Sequence, residues 1–345
     1  MRRKKHILVI RLSAMGDVAM AVPVLRALTS QHKKIKVTIV SRALFKPFFS
    51  DIPRVKFFTA EPDSKHKGFR GLLKLYNELK ALRFFAVADL HNVLRSKIIT
   101  TLFRLKGLKT ATVDKARKQR AALVRPENKV FEPLLPVTLR YAEVFAKLGY
   151  PVDLSNVPMP EKHEVAMDML AVTGPRKKNW IGIAPFAKHR AKVYPKDLMQ
   201  NVINQLAALP DTKVFLFGAG RREVNKLEKF AGNKENIIVV AGKMSFKNEL
   251  ELISNLDVML SMDSGNAHIA AMYGVNVITL WGATHPYAGF APFNQPEKNM
   301  LLADREQYPK LPTSVYGNKK VEGYENAMRT IEPDAVVKAI RQYLN

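Results

Sequence analysis

An alternation of short β-branched runs with amphipathic stretches constrains this chain more than any other feature. His6–Arg11, Lys36–Val40, Val55–Phe58 and Phe84–Asp89 read as strands, with Asp17–Ser30, Gly71–Leu82 and Leu94–Leu105 as helices between and after them. Repeated strand–helix–strand units imply a parallel sheet covered on both faces. A second series begins after Pro158 and Pro160. There Trp180–Ala184, Lys213–Phe217, Ile237–Val240, Val258–Ser261 and Val275–Leu280 are strand-like, and Leu198–Ala208, Arg222–Phe230, Lys247–Asn255 and Asn266–Tyr273 helical. Asp334–Leu344 follows Pro333 and predicts a closing helix, because proline suits a first turn. Pro23, two turns into the first helical pattern, is expected to kink or shorten it. The basic run Lys115–Arg120 has little apolar period and reads as an exposed loop or a short helix.

The reading is therefore an α/β chain of two doubly wound, Rossmann-like domains, 1–160 and 161–330, with the boundary near residues 155–175. A C-terminal helix in 331–345 closes it, and whether that helix packs back on the first domain is left open. In such sheets ligands bind beyond the carboxyl ends of the strands. The two sets of loops are expected to face each other across a cleft, and those loops should carry the chemistry.

Composition narrows the chemistry. There is no cysteine, which removes disulfides, zinc-thiolate sites and thiol nucleophiles, and suits a reducing cytosol. The apolar run after Arg2, Arg3, Lys4 and Lys5 extends only from Ile7 to Ile10. A secretory core needs about 7–15 apolar residues and a membrane span about 20, so neither is expected. Net charge is +26, and it is unevenly spread: residues 1–160 hold 32 Lys and Arg against 11 Asp and Glu, the remainder 24 against 19. The first half is expected to face something anionic: nucleic acid, a phosphorylated sugar or a negatively charged membrane surface. A generally basic, solvated surface is the plainer reading.

Four strand exits carry candidate chemistry. The turn Arg11-Leu12-Ser13-Ala14-Met15-Gly16-Asp17 lacks the G-x-G-x-x-G of a dinucleotide fold, and offers instead one carboxylate at a helix start. Asp17 is either a first-turn residue favoured by the helix dipole or a general base for an attacking hydroxyl. Spacing alone favours the former. Ser261 to His268 ends an apolar strand and opens a helix, so Ser264, Gly265 and the amides that follow suit a phosphate, with His268 within reach. Plain N-capping is the alternative. Trp281-Gly282-Ala283-Thr284-His285-Pro286 ends the next strand. In Phe186–Pro195, Lys192 is the best-placed cation to stabilise a diphosphate leaving group. Taken singly, each of Lys188, His189, Arg190 and Lys192 reads more simply as a surface side chain. Phe217-Gly218-Ala219-Gly220-Arg221-Arg222-Glu223 is a Gly-rich turn through which a nucleotide could approach, with Glu223 accepting from a ribose. No D-x-D pair, Cys/His cluster or carboxylate group with metal-ligand spacing occurs.

Taken together these motifs resemble the ADP-heptose:lipopolysaccharide heptosyltransferases, enzymes of GT-B architecture. The likeness rests on Arg11–Asp17 leading into Pro23, Lys192-Val193-Tyr194-Pro195, Phe217-Gly218 with Glu223, and above all Asp263-Ser264-Gly265, His268–Ala271, Gly274 and Leu280–Thr284. The resemblance implies an inverting, metal-independent transfer from a nucleotide diphosphate sugar, ADP-heptose by likeness, with no cofactor. Asp17 then matches the catalytic base, Lys192 a donor-phosphate contact, Asp263, Ser264, Gly265 and His268 the diphosphate loop, and Glu223 a ribose contact. Met244, within Lys243-Met244-Ser245, matches the nucleobase pocket. His91 and Arg95, within Asp89–Ser96, match the acceptor side, with His91 where Gln is commoner. Asn266-Ala267 replaces a Pro-Met or Leu-Ser pair, and His285 and Tyr287 enlarge the following loop; both departures bear on the donor sugar. The implied acceptor is an anionic, lipid-linked oligosaccharide of lipopolysaccharide-core type, met at the inner face of the cytoplasmic membrane. An epimerase or hydrolase of the same fold is the rival enzyme. A nucleic-acid-binding protein is disfavoured, since no aromatic-basic motif or recognition helix is present.

Overall fold

The computed structural model describes residues 5–162 and 167–344, and its contacts divide the chain into two units. The chain up to Ala116 with Leu135–Met159 forms one, and Arg117–Leu134 with the chain from Pro160 onward forms the other.

In the first unit β1 (Lys5–Ile10) runs into α1 (Met15–Ala19) and α2 (Ala21–Gln31), followed by β2 (Ile35–Ser41), β3 (Val55–Thr59), α3 (Gly68–Lys80), β4 (Ala86–Asp89), α4 (Leu94–Leu105) and β5 (Lys109–Thr112). The chain then gives α5 (Arg117–Leu123) to the other unit and returns with α6 (Val137–Lys147). The strands order β3-β2-β1-β4-β5, all parallel. Ile7 to Ile10 are fully buried, as a strand covered on both faces requires. Burial on that scale stabilises by about 1.5–3 kcal/mol per large side chain. α3 places Leu72, Leu75, Tyr76 and Leu79 on one face, the 3.6-residue period that packs them against Leu8, Ile10, Val87 and Phe103. The helical pattern around Pro23 breaks at Met20, so proline falls in the first turn of α2, where its missing N–H costs nothing.

The second unit continues with α7 (Met167–Thr173), β6 (Asn179–Ala184), α8 (Lys196–Ala207), β7 (Thr212–Leu216), α9 (Gly220–Ala231), β8 (Ile237–Val239), α10 (Phe246–Ser254), β9 (Val258–Met262), α11 (Gly265–Met272), β10 (Asn276–Trp281), β11 (Met300–Leu302) and α12 (Pro333–Arg341). Its sheet is β11-β10-β9-β6-β7-β8, again all parallel. The closing helix belongs to the second unit. Val336, Val337 and Ile340 of α12 join the second unit's core, and α12 lies along α8.

Residues 117–134 depart from the simple division at 160. Arg120, expected in an exposed segment, is buried: its Nε donates to the Ala288 carbonyl at 3.0 Å and its guanidinium covers the Phe290 ring at 4.2 Å. Lys129 donates to the carbonyls of Lys310 and Pro312, both at 2.7 Å.

Candidate active site

In a doubly wound sheet the ligand crevice opens where the strand order reverses. In the first unit that point lies between β1 and β4. The residues leaving β1 are Arg11 to Asp17, and those leaving β4 are Leu90 to Arg95. One side chain ties the two exits together: the buried Arg11 guanidinium donates through Nη1 to the Leu90 carbonyl at 2.7 Å and through Nη2 to Asp17 Oδ2 at 2.5 Å.

Asp17 stands in the first turn of α1, and its Oδ2 also accepts from the Ala14 N–H at 3.3 Å. The first-turn role is thus real, but it occupies one oxygen only. Oδ1 makes no hydrogen bond among the described residues, and the side chain keeps 26% of its surface exposed. Tyr141 of α6 supports the same turn, its hydroxyl reaching the Asp17 carbonyl at 3.4 Å and its ring lying 5.8 Å from the Arg11 guanidinium.

The β4 exit is rigid. Asp89 accepts from the N–H groups of His91 and Asn92 at 2.8 and 2.9 Å and from the Ser96 hydroxyl at 3.0 Å. Burial pushes its carboxyl above the ordinary value, against the pull of those donors. His91 is buried too. That burial, with Arg11 and Lys115 nearby, pushes its imidazole down to about 3, so the ring is neutral. Arg95, by contrast, is exposed and reaches Asp63 at 4.0 Å.

The second sheet reverses between β6 and β9, the two strands whose exits hold Lys192 and Asp263–His268. Lys192 lies in a short 3-10 turn, Arg190–Lys192. Its Nζ stands 3.0 Å from Asp263 Oδ2, with only 13% and 9% of the two side chains exposed. Two residues assigned separately to a donor are thus partners of each other. Gly317, at φ +77°, passes so close that a Cβ there would stand 2.4 Å from the Lys192 stem, which leaves room for no other residue type.

Ser264 precedes α11 in extended conformation and makes no side-chain cap bond. Its hydroxyl pairs instead with Ser261 Oγ at 3.0 Å, so the first amides of α11 are not satisfied by their own N-cap side chain. Gly265 opens that helix half-buried, and His268 is buried one turn in. At the neighbouring β10 exit, Thr284 Oγ1 is buried with no partner among the described residues. His285 accepts from the Tyr287 N–H at 3.1 Å, and burial, aided by Arg305 and Lys129, pushes its imidazole down to about 4.

Glu223 closes its own turn: its Oε2 accepts from the Ala219 N–H at 2.8 Å, and its second oxygen is left for another donor. Met244 is half-buried on the turn before α10. Among the described residues no group of three or more His, Cys, Asp and Glu is placed to hold a metal ion, and no helix is long and apolar enough to cross a membrane.

Sequence reasoning passed over Arg11 and Tyr141 as site residues. A guanidinium directly ending a buried apolar strand was the available signal for Arg11; nothing local marked Tyr141, 124 residues from Asp17.

The chain is 24% identical to the lipopolysaccharide core heptosyltransferase OpsX of Haemophilus influenzae, across 98% of this chain and 96% of that protein. A glycosyltransferase family 9 structure from Veillonella parvula superposes with a TM-score of 0.76 at 18% identity, covering 99% of this chain and 98% of the other. The Escherichia coli heptosyltransferase WaaC with ADP superposes with a TM-score of 0.69 at 20% identity, covering 98% and 99%. The fold is that of the GT-B glycosyltransferases. The model of glycosyltransferase family 9 (heptosyltransferase) matches residues 72–319, and the chain belongs to that family.

Proposed function

We propose that this enzyme transfers heptose from ADP-heptose to an anionic, lipid-linked acceptor of lipopolysaccharide-core type, with inversion at the anomeric carbon and without a metal. One observation carries the reading: Arg11–Asp17 leaves the first sheet at its topological switch point with an oxygen of Asp17 unengaged, and the Lys192–Asp263 pair stands at the switch point of the second. The near full-length likeness to a lipopolysaccharide core heptosyltransferase supports the choice of sugar and acceptor. A solved relative bound to ADP-2-deoxy-2-fluoro heptose, WaaC, supports the choice of nucleotide.

In this mechanism the donor diphosphate lies against Ser264, Gly265 and the first amides of α11, beside His268. Glu223 accepts from the ribose, and Met244 borders the base. Arg95 and the β4 exit at His91 meet the acceptor. Arg11 holds one oxygen of Asp17, and the other takes the proton of the acceptor hydroxyl. That hydroxyl oxygen attacks the anomeric carbon as the bond to the β-phosphate breaks, giving ADP and a glycoside of opposite configuration. Lys192 and the α11 amides stabilise the charge gathering on the leaving diphosphate. Holding both reactants in line supplies much of the acceleration. The enzyme works at the cytoplasmic face of the membrane that carries its acceptor.

The test is product analysis. With ADP-heptose and heptose-free lipopolysaccharide, ADP is released only when the acceptor is present, undiminished by EDTA, and the product anomer is inverted by NMR. Release of free heptose without acceptor would mean a hydrolase, and preference for a UDP-, GDP- or dTDP-linked donor would overturn the donor assignment.

A further inference from the structure

The charge excess belongs to the first unit even after residues 117–134 are assigned to the second. The chain up to Ala116 with Leu135–Met159 holds 27 Lys and Arg against nine Asp and Glu. Part of that excess surrounds large apolar side chains that are more than half exposed. Leu44 is 55% exposed, Phe69 64% and Leu94 76%. Single exposed leucines are ordinary; three converging ones are not.

Asp63 shows the convergence. It accepts from Arg42 at 2.6 Å and lies 4.0 Å from Arg95. Its hydrogen bond from Arg42, with the nearby charges of Arg95 and Lys67, holds its carboxyl below the usual range. Leu44 is two residues beyond Arg42, Leu94 directly precedes Arg95, and Phe69 is two residues beyond Lys67. The three segments follow β2, β3 and β4, whose parallel course brings them to one edge of the sheet, the edge that also bears Asp17. Residues 42–49, 61–70 and 93–97 carry seven Lys and Arg against two acids. Apolar side chains standing out of a basic surface are the chemistry of interfacial binding: the apolar groups enter the headgroup region while the cations meet anionic lipid.

We propose that this edge of the first unit, through Leu44, Phe69 and Leu94 among Arg42, Lys46, Lys67 and Arg70, docks on the surface of an anionic lipid bilayer. The inference rests on the reading that the acceptor is lipid-linked, and it names the surface that meets the membrane. An acceptor anchored in that bilayer would then be offered to the sheet edge at which Asp17 stands.

Cosedimentation of the full chain with phosphatidylcholine vesicles, with and without one quarter phosphatidylglycerol, decides it. Wild type binds the anionic vesicles and not the neutral ones, and releases in 0.5 M salt. Leu44→Ser with Phe69→Ser weakens binding at least ten-fold, and Lys46→Gln with Lys67→Gln weakens it about five-fold per charge. Both variants keep the wild-type melting temperature and the wild-type rate on a deacylated, water-soluble acceptor. Equal binding by the Leu44/Phe69 variant, equal binding to neutral vesicles, or no vesicle binding by wild type (as for an acidic protein partner) overturns the proposal. Vesicle binding without any heptose transfer would instead sink the functional reading and leave the docking surface standing.

Discussion

Replacing Lys192 with Met separates its structural role from its proposed role toward the donor. With 13% and 9% of the two side chains exposed, the Lys192–Asp263 pair is close to a buried ion pair. Removing one partner of such a pair costs about 3–5 kcal/mol, because the other charge stays desolvated and alone. The residual exposure argues for the lower end, about 3 kcal/mol. For a folding unit of roughly 200 residues that is a melting-temperature drop of about 6–12 °C. Lys192→Met with Asp263→Asn removes both charges and should recover most of the loss. Affinity for ADP, by calorimetry, behaves differently. Loss of a charge-assisted bond to phosphate costs about 1.5–3 kcal/mol, a weakening of roughly ten- to 150-fold that the second substitution does not restore. If the double variant regains stability and also binds ADP within three-fold of wild type, Lys192 is a structural ion-pair partner and its donor role is refuted.

Other predictions follow from the same geometry. Arg11→Met frees Asp17 from its clamp and should lower kcat about 10- to 100-fold with the KM for ADP-heptose unchanged; Arg11→Lys recovers part of the loss, whereas an unchanged kcat in Arg11→Met would show that the clamp is dispensable. His285, at about 4 in the folded chain against an unfolded value near 6.5, refuses a proton that the unfolded chain accepts. Its contribution is therefore present above about pH 6.5 and lost as pH falls toward 4, by about 2 kcal/mol at pH 4.5. His285→Asn keeps an acceptor for the Tyr287 N–H and should flatten that part of the stability profile in urea titrations; an unchanged acid slope would place the proton uptake elsewhere.

The parallel strands were legible because burial on both faces leaves short unbroken apolar runs, as in Ile7–Ile10, whose length and β-branched content distinguish them from buried helix segments. The edge strands β5 (Lys-Thr-Ala-Thr) and β11 (Met-Leu-Leu) were not, being short and, in β5, polar. Residues 117–134 carry no composition that marks their attachment to the second unit; what holds Arg120 and Lys129 there is hydrogen bonding to distant carbonyls. The closing helix was visible from its period, but its docking on α8 depends on a facing apolar stripe that the helix alone does not reveal. Within the site, each residue's position at a strand exit could be read, whereas pairing could not. Lys192 and Asp263 are 71 residues apart in sequence, and only the adjacency of β6 and β9 brings their exits together.

The most direct measurement is the turnover of Asp17→Asn beside its affinity for ADP. The substitution keeps the size of the side chain and its acceptor toward Arg11 and the Ala14 N–H, but removes the carboxylate proposed to take the proton. Steady-state transfer from ADP-heptose should fall by about 10²- to 10⁴-fold while ADP binds within three-fold of wild type. A kcat within ten-fold of wild type would show that some other group removes the acceptor proton, and that Asp17 serves only the first turn of its helix.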